Sequence, residues 1–311
     1  MSPSLRQAMA RWAVTGPPAA YLLVFFAAPT LIMFVAAFRF PGDYGGLQLL
    51  VGVDPASGHL RLLVDAHNWR EFFTLENLQR FFAEGVYLGV FARSFAYALL
   101  TTLICVVVGY PVAWLIARSP RQRRDLLMLL VILPFWSNFL IRVYAWMLVL
   151  GPQGYLARAV NAVLGSAGLG PVQLLFSPFA VVLVLVYVHL PFMVLPLYAN
   201  LEKHDLALLD AAQDLGTNAW QRFWRVTWPL SLPGVWAGAA LVFIPALGMF
   251  AVPDLVGGTS TLMVGNVIKQ QFLDSRDWPF GSVLSLVLTL AVLAAAALAA
   301  AVARRPARRE L

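Results

Sequence analysis

The sequence predicts an all-α integral membrane protein with six transmembrane helices. Its composition supports this fold class, because 60% of the side chains are hydrophobic, only 12% are charged and the mean hydropathy is +0.76. A soluble domain carries about 25% charged residues. A span through about 30 Å of hydrocarbon needs about 20 helical residues. Six apolar runs are long enough, at Pro18–Phe38, Val86–Ala117, Leu126–Leu150, Pro178–Ala199, Ser231–Val252 and Gly281–Ala303.

The first apolar run is too long for a cleaved signal peptide, and no small-residue cleavage motif follows it. We therefore expect it to be retained as a helix. The chain then divides into three parts. Residues 1–85 hold the first span and a long external segment, residues 86–303 form a membrane core with a polar connection at about 200–230, and residues 304–311 form a basic tail.

The placement of basic residues predicts the topology. The amino terminus, the loop between spans two and three, the polar connection and the tail together hold 13 of the 22 Lys and Arg residues. The three alternate loops hold 7. By the positive-inside rule, both termini and the polar connection face the cytoplasm. The net charge of +7 is then mainly a topology signal, and nucleic-acid binding is disfavoured.

The external segment between the first two spans allows two interpretations. Its first part is rich in turn-forming residues, and its second part, from Thr74 to Gly85, has the pattern of a short amphipathic helix along the outer membrane face. The segment is either a docking surface for an external partner or a solvated connector. The sequence favours neither.

The third span contains features that are costly in a membrane. Pro134 should break its helix. Arg142 requires an interior or hydrated position, with a carboxylate or helix-end carbonyls as partner. Trp136, Tyr144 and Trp146 add aromatic groups at the same depth, although Trp and Tyr collect at membrane interfaces in any membrane protein.

The fifth span is also expected to be irregular. Pro245, Gly248 and Pro253 predict a bent or broken helix, which in transporters commonly lines a path. Asp254 follows at its outer end. Gly234 and Gly238 near its start form a small-xxx-small pair suited to close helix approach.

Two isolated reactive side chains have simple structural interpretations. Cys105 is the only cysteine and lies in an apolar run, so we expect it to be a buried packing residue. His189 lies within the fourth span near Pro191, where it is expected to bond a backbone carbonyl that the proline leaves free. A functional role for His189 remains the alternative.

The polar segment, defined here as Leu208 to Gly234, interrupts the apolar chain and should begin with a helix. Asp210 and Asp214 are four residues apart and share one face of that helix. Gly216 should end it. The apolar face of the helix follows the 1, 4, 5, 8 spacing of Leu208, Ala211, Ala212 and Leu215.

A second short helix should follow in the polar segment. Thr217 or Asn218 can cap its start, and Pro229 and Pro233 are expected to stop it. Its two faces differ in character. The aromatic face carries Trp220, Phe223, Trp224 and Thr227, and the polar face carries Gln221, Arg222 and Arg225.

The chain lacks the motifs by which a protein would supply its own energy or catalysis. A phosphate-binding loop needs a lysine after a glycine, and neither Lys203 nor Lys269, the only lysines, follows one. No GxSxG or HExxH motif, metal-ligand spacing or catalytic residue emerges. Energy must then come from another polypeptide, and the polar segment is the candidate surface for it.

The sequence resembles type I ABC importer permeases. Their EAA loop reads EAA, three residues, Gly, nine residues, then I-x-L-P, and this chain has DAAQDLG, nine residues and V-T-W-P. Asp210, Val226 and Trp228 replace Glu, Ile and Leu of the pattern, while Ala211, Ala212, Gly216 and Pro229 match it.

Further stretches in the same order, over about Val86 to Leu290, are similar to the B-type permease subunits of spermidine/putrescine importers. They are LPFWSNFLIRVYAWM, LVYVHLPFMVLPLYANLEKHDLALLDAA, PALGMFAVPDLVGG and MVGNVIKQQFLDSRDWPFG. One departure is the first external loop, which is longer by an insertion around Gly45 to Asn68.

The resemblance implies a MetI-like permease fold in a bacterial inner membrane. It also implies several partners besides lipid: a second, C-type permease, a pair of ATPase subunits that bind ATP and magnesium, and a periplasmic polyamine-binding protein. This chain would bind no cofactor. The coupling residues would be Asp210, Ala211, Ala212, Asp214, Gly216 and Pro229. A polycation is held well by aromatic faces and carboxylates, so the candidates for its path are Trp136, Tyr144, Trp146, Phe250 and Asp254.

Two other functions remain open at this point. An importer for another small cationic solute or an amino-acid derivative would have the same sequence features, because a separate binding protein largely selects the ligand. A stand-alone channel or secondary carrier would not need the polar segment and would transport without ATP.

Overall fold

The computed structural model describes residues 3–53, 60–62 and 68–304. The basic tail beyond residue 304 and much of the predicted insertion around Gly45 to Asn68 lie outside these residues. Within the described residues, the helices are α1 (Pro3–Leu22), α2 (Ala28–Ala37), α3 (Glu76–Ala83), α4 (Gly85–Arg118), α5 (Arg121–Ile132), α6 (Phe139–Leu150), α7 (Tyr155–Ser166), α8 (Pro178–Leu201), α9 (Ala207–Asp214), α10 (Ala219–Arg222), α11 (Trp228–Leu247), α12 (Val264–Leu273) and α13 (Trp278–Arg304).

The long apolar runs form helices because a segment in hydrocarbon must satisfy its own backbone hydrogen bonds. In the described residues, five helices are long and apolar enough to cross a membrane, and a bent pair brings the total to six if it counts as one span. The prediction of six spans is confirmed in this form. The five are Val14–Ala37, Gly85–Arg118, Pro178–Leu201, Ala219–Leu247 and Trp278–Ala297.

The third span is the bent pair. Helix α5 continues into a 3₁₀ turn, Leu133–Trp136, which contains Pro134. The chain then turns by 93° before the next helical stretch. Asn138 caps α6, because its side chain accepts a hydrogen bond of 2.8 Å from the amide of Leu140. The predicted break at Pro134 is therefore confirmed.

The chain divides into two compact units by its internal contacts. The first unit comprises Met1–Leu88 and Val267–Ala291, and the second comprises Gly89–Asn266 and Val292–Leu311. Each is described by itself.

The first unit contains two differences from the expected elements. The first helix begins at Pro3 and not at Pro18, because Pro17 and Pro18 are accommodated inside a helix that continues through a π turn, Leu23–Ala27, into α2. A short antiparallel hairpin also pairs β1 (Val51–Val53) with β2 (Leu60–Leu62). The fold class is all-α as predicted, and this hairpin of three-residue strands is a short addition in the external segment.

Buried polar contacts organise the external segment of the first unit. Arg39 is only 6% exposed, and its Nη2 donates to the carbonyl of Gln48. Asn77 on α3 donates to the carbonyl of Arg39 at 2.8 Å. Burial lowers the pKa of the Arg39 guanidinium from its ordinary value. The predicted amphipathic helix is confirmed as α3, and these bonds fix its position against the end of the first span.

An ion pair links α3 to the start of α13 in the same unit. Arg80 Nη1 lies 3.1 Å from Asp277 Oδ2, and the guanidinium carbon lies 4.2 Å from the centre of the Phe280 ring. Asp277 also accepts a hydrogen bond of 3.1 Å from the Phe280 amide. Arg80 is substantially exposed, so we expect the ion pair to orient the segment more than to stabilise it.

The second unit is built around α8, which buries most of one face. Helix α11 packs on it through glycines: a Cβ at Gly234 would lie 2.7 Å from the Cβ of Asn200, and one at Gly238 would lie 2.6 Å from the sulfur of Met193. The predicted close helix approach at this pair is confirmed. Its physical cause is that only a missing side chain allows the two helices to come this near.

Cys105 and His189 both serve the packing of this unit. Cys105 is fully buried, and its thiol is directed at the carbonyl of Val186, 3.7 Å away. His189 is 1% exposed, and its Nδ1 lies 2.8 Å from the carbonyl of Leu185. The expected backbone bond of His189 exists, but Leu185 is four residues before His189 itself and is not the carbonyl that Pro191 leaves free.

We predict that Gly234→Ala destabilises the protein by about 1–3 kcal/mol, because its methyl group would overlap the fixed Cβ of Asn200. The measurement is thermal unfolding of the purified protein in detergent. Gly89→Ala on α4 is the matched control, since a Cβ there meets nothing within 4 Å and alanine favours a helix. Equal melting temperatures for the two variants would contradict the packing account.

Candidate functional site

The polar segment begins with α9 and a left-handed turn. Gly216 has φ +78°, a conformation that favours glycine. Its amide donates to the carbonyl of Gln213 at 2.8 Å, and the amide of Thr217 donates to Ala212 at 3.3 Å. The predicted end of the first helix at Gly216 is confirmed, and these bonds satisfy carbonyls that the helix end would otherwise leave unpaired.

The second helix begins at a capping box. The Gln221 amide donates to the side chain of Asn218 at 2.8 Å, and the Asn218 amide donates to the side chain of Gln221 at 3.1 Å. Of the two predicted caps, the structure therefore uses Asn218.

The prediction that Pro229 and Pro233 stop this helix is wrong. Helix α10 passes through a π turn, Phe223–Thr227, directly into α11, so that Ala219–Leu247 is one continuous stretch. Pro229 lies at the start of α11, immediately after the wider π turn, which leaves room for a proline ring that would clash in a regular helix interior. The second helix of the polar segment is thus the first part of the fifth span.

An aromatic cluster fixes this junction to α4. The ring of Tyr110 lies 5.5 Å from Phe223 and 5.5 Å from Trp228, and Trp224 lies 5.6 Å from Trp228. The Tyr110 hydroxyl is 3.0 Å from that of Ser231. Such ring pairs stabilise beyond the area that they bury, so the junction should move as one body with the span.

Helix α9, in contrast, has no buried residue. Leu208 and Leu215 are 48% and 84% exposed, and Asp210, Ala211 and Asp214 are exposed as well. Arg222 joins α9 to the junction through a bond of 2.6 Å to the side chain of Gln213. Helix α9 thus exposes its apolar and acidic side chains, and the aromatic cluster at the start of α11 forms a rigid base beside it.

A further ion pair lies where the polar connection leaves α8. Arg124 at the start of α5 pairs with Glu202 at the end of α8. The contact joins the loop after span two to the loop after span four, on the side from which the polar segment projects.

The residues predicted to line a path fall into separate places. Trp136 ends the 3₁₀ turn before the 93° bend and is 74% exposed, whereas Tyr144 lies on α6 beyond the bend and is 50% exposed. Trp146 packs into the core, with its ring 5.5 Å from Tyr187. The structure therefore does not bring these three aromatic side chains into one cluster.

Phe250 and Asp254, by comparison, lie together in the break after α11. Helix α11 ends at Leu247, which confirms the predicted break of the fifth span. The Asp254 amide donates to the carbonyl of Phe250 at 3.1 Å. Both residues also bond to Asn266, which the sequence reasoning missed. The signal available was one polar residue at the start of α12, in the apolar stretch MVGNVI.

Arg142 has an aromatic neighbour in place of the expected partner. Its guanidinium carbon lies 5.1 Å from the centre of the Phe135 ring. Within the described residues, its Nε and Nη1 are buried and have no hydrogen-bond partner. The expected carboxylate or carbonyl is thus absent at these two nitrogens, and the ring face supplies a cation–π contact.

A profile described as "Binding-protein-dependent transport system inner membrane component" matches residues 83–309. The chain belongs to this family. The spermidine/putrescine transport system permease protein PotB of Escherichia coli (strain K12) is 47% identical over 228 residues, which cover 73% of this chain and 81% of PotB. PotB of Haemophilus influenzae is 46% identical over 229 residues, with 73% and 78% covered.

A more distant relative and one solved structure agree with this assignment. The inner membrane ABC transporter permease protein YdcU of E. coli (strain K12) is 32% identical over 224 residues, which cover 69% of this chain and 71% of YdcU. A chain of the bacterial alginate ABC transporter, crystallised with an alginate pentasaccharide-bound periplasmic protein, superposes with a TM-score of 0.70 at 15% identity and covers 98% of this chain and 97% of that chain. At this identity the likeness shows the fold alone.

The predicted fold and class of protein are therefore confirmed. The chain is a multi-pass membrane protein of the ABC importer permease family, homologous to inner-membrane permeases that depend on a binding protein. Members of this family are transporter subunits, which agrees with the lack of catalytic motifs in the sequence.

We predict that Asn218→Ala loosens the start of the second helix by about 1 kcal/mol, because the capping bond to the Gln221 amide is lost. Hydrogen exchange of that amide should become about fivefold faster. Asn218→Asp, which retains a capping oxygen, is the control and should exchange at the wild-type rate. Unchanged exchange in the alanine variant would exclude the cap as a stabilising contact.

Proposed function

We propose that the chain is the B-type permease subunit of an ATP-driven polyamine importer, and that the polar segment receives the work of the ATPase. The observation that carries the second part is the exposure of α9 on a base that is continuous with a membrane span. The similarity to PotB, whose name gives spermidine and putrescine as its cargo, supports the first part.

The charge distribution supports the orientation that this function needs. Since 13 of the 22 Lys and Arg residues lie at the termini, in the loop after span two and in the polar connection, we place both termini and the polar segment in the cytoplasm. The external segment of the first unit would then face the periplasm, where a substrate-binding protein delivers cargo.

The surface of α9 has the features of a helix that seats in a groove. Leu208 and Leu215 offer exposed apolar area, Ala211 and Ala212 allow close approach, and Asp210 and Asp214 can pair with basic groups of the partner. The partner is a pair of ATPase subunits that bind ATP and magnesium, and a second, C-type permease completes the membrane part. This chain would carry no catalytic residue and bind no cofactor.

The same contacts suggest how movement is transmitted. When the ATPase pair closes, force on α9 would reach α11 through the aromatic junction and α8 through the glycine contact at Gly234 and Gly238. The spans would then rock between inward-facing and outward-facing states. A loosely tethered segment would absorb the movement instead.

A polyamine is a flexible polycation, and aromatic faces and carboxylates suit it. Asp254 and Phe250, which share the break after α11, are the strongest candidates for the path. Trp136, Tyr144 and Trp146 remain candidates at the third span. An importer for another small cation or an amino-acid derivative is the alternative, since the binding protein largely selects the ligand.

Reconstitution of the assembled importer in proteoliposomes tests the proposal. Spermidine or putrescine, with the binding protein, should stimulate ATP hydrolysis and accumulate inside. Stimulation only by another solute would leave the coupling role intact and exclude polyamine as the cargo. Transport by this chain alone, without ATPase subunits, would instead establish a channel or secondary carrier.

We predict that Gly216→Val lowers uptake at least about tenfold while the protein remains in the membrane. A Cβ at Gly216 would meet nothing within 4 Å, so the cost arises from the left-handed backbone, at about 1–2 kcal/mol. Gly168→Val is the matched control. Gly168 has a similar φ of +75° and equally open surroundings at the end of α7. Equal uptake by the two variants would refute the coupling role of Gly216.

Asp210 provides a second test of the coupling surface. Because it is exposed at the start of α9, its replacement should affect partner contact more than folding. We predict that Asp210→Glu retains most of the uptake, since charge is kept with a longer reach, whereas Asp210→Ala loses more. Uptake and ligand-stimulated ATP hydrolysis are to be measured together, and equal losses in both variants would exclude a charge contact.

A further inference from the structure

One buried side chain joins the break after α11 to the start of α12. Asn266 is 4% exposed. Its Nδ2 donates to the carbonyl of Phe250 at 2.9 Å and to Oδ1 of Asp254, and its Oδ1 accepts a bond of 3.0 Å from the amide of Met263. The side chain therefore bonds to three residues in two segments at once.

The backbone around Asn266 has little freedom to move. A Cβ at Gly265 would lie 2.5 Å from the carbonyl oxygen of Gly248, so the start of α12 is pressed against the end of α11. The Val264 amide donates at 2.7 Å to the hydroxyl of Ser94 on α4, which is fully buried. Asn266 thus projects from a turn that is fixed on both sides.

Asp254, on the other hand, stands on irregular backbone. It lies in the π turn Pro253–Gly257, which is part of the break after α11. The turn is followed by Gly258, which has φ +67°. An exposed carboxylate in such a turn can adopt several rotamers, and a hydrogen bond from a buried donor selects one of them. The amide of Asn266 selects the rotamer without adding a charge of its own.

We propose that Asn266 is a positioning residue, which holds the Asp254 carboxylate in the orientation that binds an ammonium group of the translocated cation. This inference rests on the proposed function, because it requires a cationic cargo. Asn266 itself is buried behind Asp254 and does not touch the cargo. Its contribution is to fix one carboxylate oxygen, so that no ordering cost is incurred when the cation arrives.

Three variants separate positioning from simple stability. Asn266→Asp retains the acceptor for the Met263 amide but replaces the donor toward Asp254 with a second carboxyl group. Asp254→Asn removes the charge. The double variant, Asp254→Asn with Asn266→Asp, restores one amide and one carboxylate with their positions exchanged.

The control is Asn161→Asp on α7. Asn161 also uses both ends of its amide, because it donates to the carbonyl of Val172 at 3.2 Å and accepts from the Val172 amide at 2.8 Å. It therefore tests the effect of the same chemical change where no cargo contact is proposed.

The experiment measures spermidine uptake and ligand-stimulated ATP hydrolysis in the same proteoliposomes with the full importer. Asn266→Asp should lower uptake about tenfold, the loss expected for one well-oriented charged contact, while ATP hydrolysis changes less than about twofold. The double variant should not recover the lost uptake, because the carboxylate of this pair then stands at position 266, behind residue 254 and out of reach of the cargo. Asn161→Asp should behave as the wild type.

Three results would overturn the inference. They are wild-type uptake in Asn266→Asp, a parallel fall of uptake and ATP hydrolysis in that variant, and wild-type uptake in the double variant. A wild-type importer that moves no cationic solute would refute the proposed function and this inference with it. Uptake by the wild-type importer alone identifies a failure of the proposed function. A failure of the positioning inference appears only in the variants.

Discussion

The polar segment is joined directly to the fifth span. The rings of Tyr110, Phe223 and Trp228 pack at the point where α10 passes through a π turn into α11. Because the helix is continuous there, a push on the exposed α9 would reach the membrane core through a stiff element under the proposed function. The glycine contact with α8 would then carry the movement to the centre of the second unit.

In the part of the chain that the structure describes, the breaks in the third and fifth apolar runs have side chains that pair with exposed backbone groups. At the third span, Asn138 caps the helix after the break at Pro134. At the fifth span, Asn266 bonds to the carbonyl of Phe250, just after the helix ends. A backbone group without a hydrogen-bond partner in hydrocarbon costs several kcal/mol (about the cost of a lost hydrogen bond). The side chains that pair with these groups therefore make the breaks energetically possible.

Much of this could be predicted from the sequence, because its signals are strong in membrane proteins. Length and apolarity located the spans, Pro134 and Gly248 located the two breaks, and Gly216 located the end of α9. The EAA-like spacing selected the family. These features depend on local chemistry or on a short linear pattern, which one sequence is enough to show.

The errors arose where tertiary contacts overrode a local rule. Pro229 did not stop its helix, because a π turn and an aromatic cluster stabilise the passage into the span. Arg142 packs over the ring of Phe135. This contact joins the two arms of a bent span, and the spacing of residues in the sequence does not reveal it. Asn266 was missed because its partners, Phe250 and Asp254, are more than ten residues away in the chain.

Thiol protection directly tests whether α9 is the surface on which the ATPase acts. Cys105 is the only cysteine and is fully buried, so an introduced cysteine can be followed alone. Leu215→Cys and the control Tyr155→Cys replace side chains that are 84% and 88% exposed. We predict that assembly with the ATPase subunits slows alkylation of Leu215→Cys and leaves Tyr155→Cys unchanged. Equal alkylation of Leu215→Cys with and without the ATPase would contradict the account.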